Sequence, residues 1–259
     1  MIVACLQMDA QFACVEENFL HAEKLIGDAM KDAPDVIVLP ETFTTGFFPR
    51  ENLVELADRD CTLVKSRIGT LAKRYHVNIV AGSAVNLRGS SVCNTACVFD
   101  REGNCIAQYD KTHLFSPMGE DSFFQAGERL CAFTLDGIPC GLIICYDLRF
   151  PELSRALALN GMQLLFAVSQ WPDVRISHLT ALCAARAIEN QCYVVNCNGC
   201  GTAGQTRYGG TSTVWDPLGN ALARAGSGEE ILTADCDLSA VAAIRSAIPV
   251  FTDRRPDLY

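Results

Sequence analysis

Short, continuous apolar runs alternate with longer amphipathic segments along most of this chain. The run DVIVLP at 35–40 and the run GLIIC at 141–145 are typical of strands that are buried on both faces. Segments 15–31 and 176–190 carry apolar residues near a spacing of 3.6 and are predicted to be helices. Turn residues at 101–104 and at Asp136-Gly137 predict hairpins between these elements. A chain of this kind folds as a layered α/β protein with mixed sheets covered by helices, and the absence of any linker predicts a single domain over 1–259.

Composition restricts the partners and the compartment of a chain of 259 residues. With 49% hydrophobic residues the chain can bury a large core without disulfides or metals. The net charge of −9 comes with no cluster of lysine and arginine, so nucleic acid is not an expected partner. No apolar stretch approaches the length of a membrane span, and the N-terminus lacks the features of a signal peptide. We therefore expect a cytoplasmic protein with no membrane partner.

The fourteen cysteines are expected to be mostly reduced thiols in the core. Most lie within apolar runs, where cysteine acts as a small hydrophobic residue, as do Cys5, Cys97, Cys140, Cys183 and Cys192. One pair, Cys197 and Cys200, has the CxxC spacing of redox and zinc motifs. This pair follows a strand-like run and enters a glycine-rich loop, and the four histidines are scattered. Neither a metal site nor a cofactor is predicted.

Three polar residues with complementary chemistry each follow a predicted strand. Glu41 comes after DVIVLP, Lys111 after NCIAQYD, and Cys145 at the end of GLIIC. Taken singly, Glu41 is more typical of a carboxylate in a loop, Lys111 of a charge at a sheet edge and Cys145 of a thiol in the core. Functional groups gather at the carboxyl ends of strands in α/β sheets, so neighbouring parallel strands would bring all three to one rim.

Glutamate, lysine and cysteine together are suited to acyl transfer. The thiolate is the nucleophile, and a nearby carboxylate can accept the thiol proton as a general base. A nearby ammonium favours the thiolate and stabilises the oxyanion of a tetrahedral intermediate. A sharp strand-to-helix turn at Cys145 would also direct backbone N–H groups, in particular that of Tyr146, toward the oxyanion.

The segments around these residues resemble the nitrilase (carbon–nitrogen hydrolase) superfamily over nearly the whole chain. LPETFTTGF resembles the catalytic-glutamate segment of that superfamily, YDKTHLF the catalytic-lysine segment, and GLIICYDLRFPEL the catalytic-cysteine segment. The segment CYDLRFPEL and the tail IPVFTDRRPDLY resemble the corresponding segments of the ω-amidase branch rather than those of classical nitrilases.

The resemblance implies a four-layer αββα sandwich of the nitrilase type, associated as a homodimer or higher homo-oligomer and working without a cofactor. It implies that Glu41 is the general base, Lys111 the oxyanion stabiliser and Cys145 the nucleophile. Glu120 matches a second glutamate that many members use to position substrate or assist proton transfer. Asn196-Cys-Asn-Gly199 departs from the Asn-Arg-x-Gly that is frequent in the family, in a loop expected near the site.

The implied reaction is hydrolysis of a small ω-amide of a dicarboxylate, such as α-ketoglutaramate or α-ketosuccinamate, to acid and ammonia through a thioester. Water is the second substrate, and the substrate carboxylate requires a cation, for which Arg175 is a candidate. Tyr146, Phe43, Phe115 and Trp171 are expected to contact the substrate. Core packing for the aromatic residues, and a solvated surface position for Arg175, are the alternatives.

Other functions remain compatible with the sequence. An N-carbamoyl amide hydrolase or a nitrilase acting on small nitriles would use the same three residues. A catalytically silent interaction protein of the same fold is a non-enzymatic alternative, against which the intact Glu41, Lys111 and Cys145 argue. A thiol redox protein built on Cys197 and Cys200 is a third.

Overall fold

The structure, a computed structural model, describes residues 1–258, and only Tyr259, the last residue of the tail motif, lies outside them. Its strands, in chain order, are β1 (Ile2–Gln7), β2 (Val36–Val38), β3 (Asp58–Arg59), β4 (Asn78–Val80), β5 (Ala84–Arg88), β6 (Ser91–Phe99), β7 (Cys105–Asp110), β8 (Cys131–Leu135), β9 (Ile138–Ile144), β10 (Leu164–Ser169), β11 (Tyr193–Asn198), β12 (Cys200–Ala203), β13 (Thr206–Gly209), β14 (Thr213–Trp215), β15 (Ala221–Arg224) and β16 (Glu230–Asp235). The α-helices are α1 (Val15–Ala29), α2 (Leu53–Leu56), α3 (Thr62–Tyr75), α4 (Pro151–Leu159), α5 (Ile176–Asn190) and α6 (Ala240–Ala247).

The described residues form two large mixed sheets and one small hairpin. The first sheet has the order β16-β1-β2-β4-β6-β5-β3, with β7 also paired to β6. The second has the order β15-β14-β11-β10-β9-β8, and β12 pairs with β13 alone. Because β1 pairs with β16, the beginning and the end of the chain lie in the same sheet.

The two sheets pack face to face, and helices cover both outer faces. Val36, Val38 and Ile144 point into the core between the sheets, while the intervening Ile37 and Ile143 point outward. Helices α1 and α3 pack on the first sheet, and α4 and α5 pack on the second. The predicted four-layer αββα sandwich is confirmed.

Burial on both faces explains why these strands are continuously apolar rather than alternating. The side chains of Ile37, Val38, Ile143 and Ile144 are wholly inaccessible to solvent. Each contributes roughly 1.5–3 kcal/mol through removal of apolar area from water. A continuously apolar run therefore indicates a strand with a sheet packed on one side and a helix on the other.

The predicted hairpins are present, with one addition that the sequence did not indicate. β6 pairs antiparallel with β7, and β8 pairs antiparallel with β9 across Asp136 and Gly137, which have φ of +47° and +82°. The β12–β13 hairpin was not predicted because it lacks an apolar run. Its position depends on tertiary contacts, since the N–H of Gly209 donates to the carbonyl of Trp171 at 3.0 Å.

The strands before Glu41, Lys111 and Cys145 are not neighbours in one sheet, so the condition under which one rim would collect all three residues is not met. β2 and β7 lie in the first sheet, whereas β9 lies in the second. β4 is parallel to β2 and β6 is antiparallel to both β4 and β7, so β2 and β7 run in the same direction. Their ends meet the end of β9 across the interface between the sheets.

No helix among residues 1–258 is both long and apolar enough to cross a bilayer.

Candidate active site

Cys145 lies at a sharp turn between β9 and a 3₁₀ helix, Cys145–Arg149. Its φ of +46° is in the left-handed region, which a residue with a Cβ adopts at a cost of about 1–2 kcal/mol. Such strain persists only where the surroundings enforce it. The turn therefore requires specific contacts to keep the thiol in place.

The carboxylate of Asp147 supplies those contacts. It is completely buried and accepts hydrogen bonds from the N–H of Ile144 at 3.0 Å and the hydroxyl of Tyr109 at 2.7 Å. It also accepts from the hydroxyl of Thr112 and the N–H of His113, both at 2.9 Å, and lies 2.9 Å from Nδ1 of His113. Asp147 thus joins the turn that carries Cys145 to the segment that carries the predicted catalytic lysine.

Glu41 follows β2 and is nearly inaccessible to solvent, at 1% exposure. Its Oε1 accepts hydrogen bonds from Nζ of Lys111 and Nδ2 of Asn94, both at 2.9 Å. Its Oε2 accepts from the N–H of Gln170 at 2.9 Å. These donors come from both sheets and hold the carboxylate in one orientation.

Glu120 lies on the other side of Lys111. Nζ of Lys111 is 3.0 Å from Oε1 and 2.8 Å from Oε2 of Glu120. The carboxylate also accepts from the N–H of Phe115 at 2.6 Å and from Nδ2 of Asn94 at 3.2 Å. One ammonium therefore bridges two buried carboxylates, and one asparagine spans the same pair.

The charges of this cluster act on the thiol of Cys145. Burial raises the pKa of Cys145 well above its ordinary value, and the charge of Glu41 and a hydrogen bond with it raise that pKa further. The charge of Lys111 lowers the pKa of Cys145. Burial by itself lowers the pKa of Lys111, but the charges of Glu41 and Glu120 outweigh it and the net direction is upward. These directions favour a neutral thiol beside a protonated lysine.

A narrow cavity gives access to these groups. Cys145, Lys111 and Glu120 form part of its wall. The other lining residues combine apolar and cationic side chains: Phe47, Phe115, Met118, Tyr146, Arg149, Gln170, Trp171, Pro172 and Arg175. The cavity is suited to a small ligand with an apolar middle and an anionic end.

Four of the five predicted substrate contacts lie at this cavity, and the fifth does not. Tyr146, Phe115, Trp171 and Arg175 line it. The prediction for Phe43 is wrong, since Phe43 is fully buried between the first sheet and α1 and its ring meets that of Phe19 edge-on at 5.6 Å. The backbone turns at Thr42, with φ of +47°, so Glu41 and Phe43 point into different layers.

Several residues of the site were not predicted from the sequence. Asn94, Gln170 and Arg149 contact the charged cluster or line the cavity. Arg149 lies within the cysteine motif, which is the one signal that could have identified it. Asn94 lies in a strand that carries no motif, whereas Gln170 begins the segment QWPDVR, which also holds the predicted Trp171 and Arg175 and could have identified it.

Residues 196–199, predicted to form a loop near the site, are the end of β11 and the residue after it, and they lie behind the cavity wall. Oδ1 of Asn198 accepts from the N–H of Trp171 at 2.7 Å, and its Nδ2 donates to the carbonyl of Gly210 at 2.7 Å. Gly199 has no room for a Cβ, which would lie 1.7 Å from Oε1 of Gln170. Asn198 and the backbone of Gly199 therefore support the cavity from outside.

Cys197 and Cys200 are buried free thiols. Sγ of Cys197 lies 3.2 Å from the carbonyl oxygen of Val38, and burial raises the pKa of Cys200 to about 12. Unlike Cys145, neither thiol lines the cavity, so burial and these contacts favour a core role. Within residues 1–258, no three histidine, cysteine or acidic side chains are arranged to hold a metal ion.

Comparisons with known proteins agree with the geometry of the site. The carbon-nitrogen hydrolase family model matches residues 2–246. A 2-oxoglutaramate amidase of Bacillus subtilis is 43% identical, over 99% of this chain and 98% of its own length. An omega-amidase of Bos taurus is 32% identical, over 94% of this chain and 91% of its own length.

A solved structure offers a further comparison. It is a glutamate-to-glutamine mutant of the amidase from Nesterenkonia sp. AN1, with the acetamide moiety of fluoroacetamide covalently added at the active site cysteine. It superposes with a TM-score of 0.86 at 26% identity, covering 100% of this chain and 95% of that one.

Proposed function

The chain belongs to the carbon–nitrogen hydrolase family, and we propose that it is a cysteine-dependent ω-amidase that hydrolyses the terminal amide of short 2-oxo dicarboxylic acid monoamides. The substrate class follows from the cavity rather than from the reactive residues, which any amidase of this family would need. The products are the free dicarboxylate and ammonia.

The observation that carries this proposal is the pair of arginines in the cavity wall. The guanidinium of Arg149 lies 4.8 Å from the ring centroid of Trp171, and that of Arg175 lies 5.4 Å from the ring centroid of Phe115. No carboxylate among residues 1–258 forms an ion pair with either. Two cations without an anionic partner in an acidic chain favour a substrate that brings its own carboxylate.

The first half of the proposed reaction forms a thioester. Sγ of Cys145 attacks the amide carbonyl carbon while Glu41 accepts the thiol proton, which offsets the raised pKa of the thiol because no free thiolate is needed. The N–H of Tyr146 donates a hydrogen bond to the oxyanion, and the positive charge of Lys111 stabilises it. Glu41 then passes its proton to the nitrogen, the C–N bond breaks, and ammonia leaves.

The second half restores the enzyme. Water attacks the thioester carbon, Glu41 accepts one of its protons, and the C–S bond breaks as that proton returns to the sulfur. Lys111 has three N–H groups. Its two contacts with Glu120 can be served by one bifurcated N–H, which leaves another for the oxyanion.

The test is ammonia release from 2-oxoglutaramate, 2-oxosuccinamate, N-carbamoyl amino acids and small nitriles, with Cys145→Ala as the control. We expect turnover of the two 2-oxo amides by the wild type only. Faster turnover of carbamoyl compounds or nitriles would overturn the substrate class, and equal activity of Cys145→Ala would overturn the mechanism.

We also propose that the chain is one catalytic domain that works as a homo-oligomer in the cytoplasm. The pairing of β1 with β16 supports one domain, and fourteen free thiols support a reducing compartment. Light scattering on the purified chain gives the oligomeric state. A monomeric mass would contradict that part of the proposal.

A further inference from the structure

Asn94 completes a closed ring of hydrogen bonds with the three charged groups of the site. It lies on β6 and is 2% exposed. Its Nδ2 donates to Oε1 of Glu41 at 2.9 Å and to Oε1 of Glu120 at 3.2 Å. Nζ of Lys111 donates to the same two oxygens, at 2.9 Å and 3.0 Å. The two carboxylates are thus bridged twice, once by a cation and once by a neutral amide.

The contacts of the Asn94 amide determine its orientation. Oδ1 is buried and has no hydrogen-bond partner among residues 1–258. The reverse orientation would direct Oδ1 at two carboxylate oxygens, which are acceptors when ionised. The main-chain carbonyl of Asn94 accepts from the N–H of Lys111 at 2.9 Å, so the strand itself is held beside the lysine. The side-chain amide is therefore held by its two anionic acceptors, since its own acceptor forms no contact.

The cluster holds one positive charge for two negative charges. Two carboxylates that share a buried site retain a proton between them unless other groups stabilise both anions. Among residues 1–258, only Lys111 and Asn94 contact both carboxylates through a side chain. The remaining donors are main-chain N–H groups, that of Gln170 for Glu41 and that of Phe115 for Glu120. Asn94 thus supplies the second stabilising bridge without a second cation.

We propose that Asn94 is a positioning residue for the base, which keeps Glu41 and Glu120 both charged beside one ammonium. Asn94 and Lys111 occupy both lone pairs of Oε1 of Glu41, so Oε2, which accepts only from the N–H of Gln170, takes the thiol proton. The S–H bond breaks as the Oε2–H bond forms, and the same proton later leaves on the amide nitrogen. The proposal deepens the proposed amidase function and rests on it.

The test is the pH dependence of kcat in Asn94→Leu, with Asn190→Leu as the matched control. Leucine has the branching of asparagine but no donor. Asn190 is also buried, its Nδ2 donates to the carbonyl of Arg186 at 3.0 Å, and its Oδ1 likewise has no partner among residues 1–258. It lies on α5 and does not line the cavity. Because both variants lose buried hydrogen bonds, we expect Tm to fall in both.

Only Asn94→Leu should change the pH profile. Loss of a hydrogen bond to an anion favours its protonation, so the acid limb of kcat should move to higher pH by about one to two pH units. On that limb kcat should fall by about tenfold to a hundredfold, and the loss should shrink as the pH rises, with KM within about twofold. The other titratable groups that interact with the charge of Glu41 are Lys111, Cys145 and Tyr208, and all three remain in the variant.

Three results would overturn the proposal: a wild-type profile in Asn94→Leu, a kcat lowered equally at every pH, or the same shift in Asn190→Leu. Asn94→Ala is the second variant in case leucine prevents folding, and its acid limb should move in the same direction. The assay uses whichever amide of the panel the wild type turns over fastest. A failure of the ω-amide assignment is then visible in the wild type, and the role of Asn94 is measured independently of it.

Discussion

Nζ of Lys111 lies 2.9 Å from Oε1 of Glu41, and both side chains are almost wholly inaccessible to solvent. A buried ion pair of this kind contributes little net stability, because desolvation offsets most of the attraction. Its two members are instead the groups that the proposed reaction needs in charged form, so the pairing keeps a base and a cation ready in a buried site.

Replacing Lys111 with methionine should destabilise the fold and abolish activity. The change leaves Glu41 and Glu120 facing each other without a cation, which is expected to cost about 3–5 kcal/mol. Ammonia release should fall by at least about a hundredfold. Urea unfolding gives the first quantity. Glu120→Gln is the control, because it keeps the Lys111–Glu41 pair and should cost less; an equal loss in both variants would contradict the argument.

Replacing Cys145 with glycine or alanine separates strain from chemistry. Both changes remove the nucleophile and should eliminate turnover. Only glycine adopts a φ of +46° without a steric penalty, so Cys145→Gly should be more stable than Cys145→Ala by about 1 kcal/mol. Thermal unfolding of the two variants measures this difference. A more stable alanine variant would mean that the turn is not held under strain.

Asp147→Asn should lower kcat more than it changes KM. An asparagine keeps one acceptor oxygen but turns an amide N–H₂ toward donors, which leaves hydrogen bonds of Tyr109, Ile144 or Thr112 unmade. We expect a loss of about 1–3 kcal/mol in stability and at least about a tenfold loss in kcat. Asp121→Asn, at an exposed aspartate, is the matched control and should change neither. Retained kcat in Asp147→Asn would show that the thiol needs no such support.

Glu41→Gln should shift the titration of Cys145 downward while abolishing hydrolysis. The charge of Glu41 disfavours the thiolate, so its removal lowers the pKa of Cys145 and gives more thiolate at any given pH. The pH profile of alkylation by iodoacetamide, followed by mass spectrometry of the Cys145 peptide, reports this pKa. An upward shift would show that Glu41 does not face the thiol as an anion.

Arg175→Met should impair anionic substrates and spare neutral ones. We expect KM for 2-oxoglutaramate to rise by about tenfold to a hundredfold, since a charge-assisted hydrogen bond is lost. Turnover of propionamide should change by less than about twofold. Arg149→Met tests the second cation in the same way, and Arg129→Met, at an exposed arginine outside the cavity, is the control. Equal losses on both substrates would contradict a carboxylate-binding role.

Much of the architecture was predictable from the sequence because local patterns determine it. Apolar runs flanked by turn residues identified β2 and β9, and the helical spacing at 15–31 and 176–190 identified α1 and α5. The positions of Glu41, Lys111 and Cys145 at the ends of predicted strands single them out independently of the family resemblance. The prediction that Phe43 contacts the substrate was wrong because Phe43 lies close to Glu41 in sequence but its side chain points elsewhere. The positive φ of the intervening Thr42 turns the backbone between them.

The sequence by itself determined which elements form and which residues carry reactive groups, because strand and helix periodicity and short motifs are local properties. Only the tertiary structure decided which of these groups meet. The strands carrying Glu41 and Cys145 belong to different sheets, and the site forms where the packed sheets bring their ends together. Asn94, Asp147 and Gln170 become part of the site or its support through contacts between segments far apart in the chain. No local pattern encodes such contacts, since they depend on how two sheets pack.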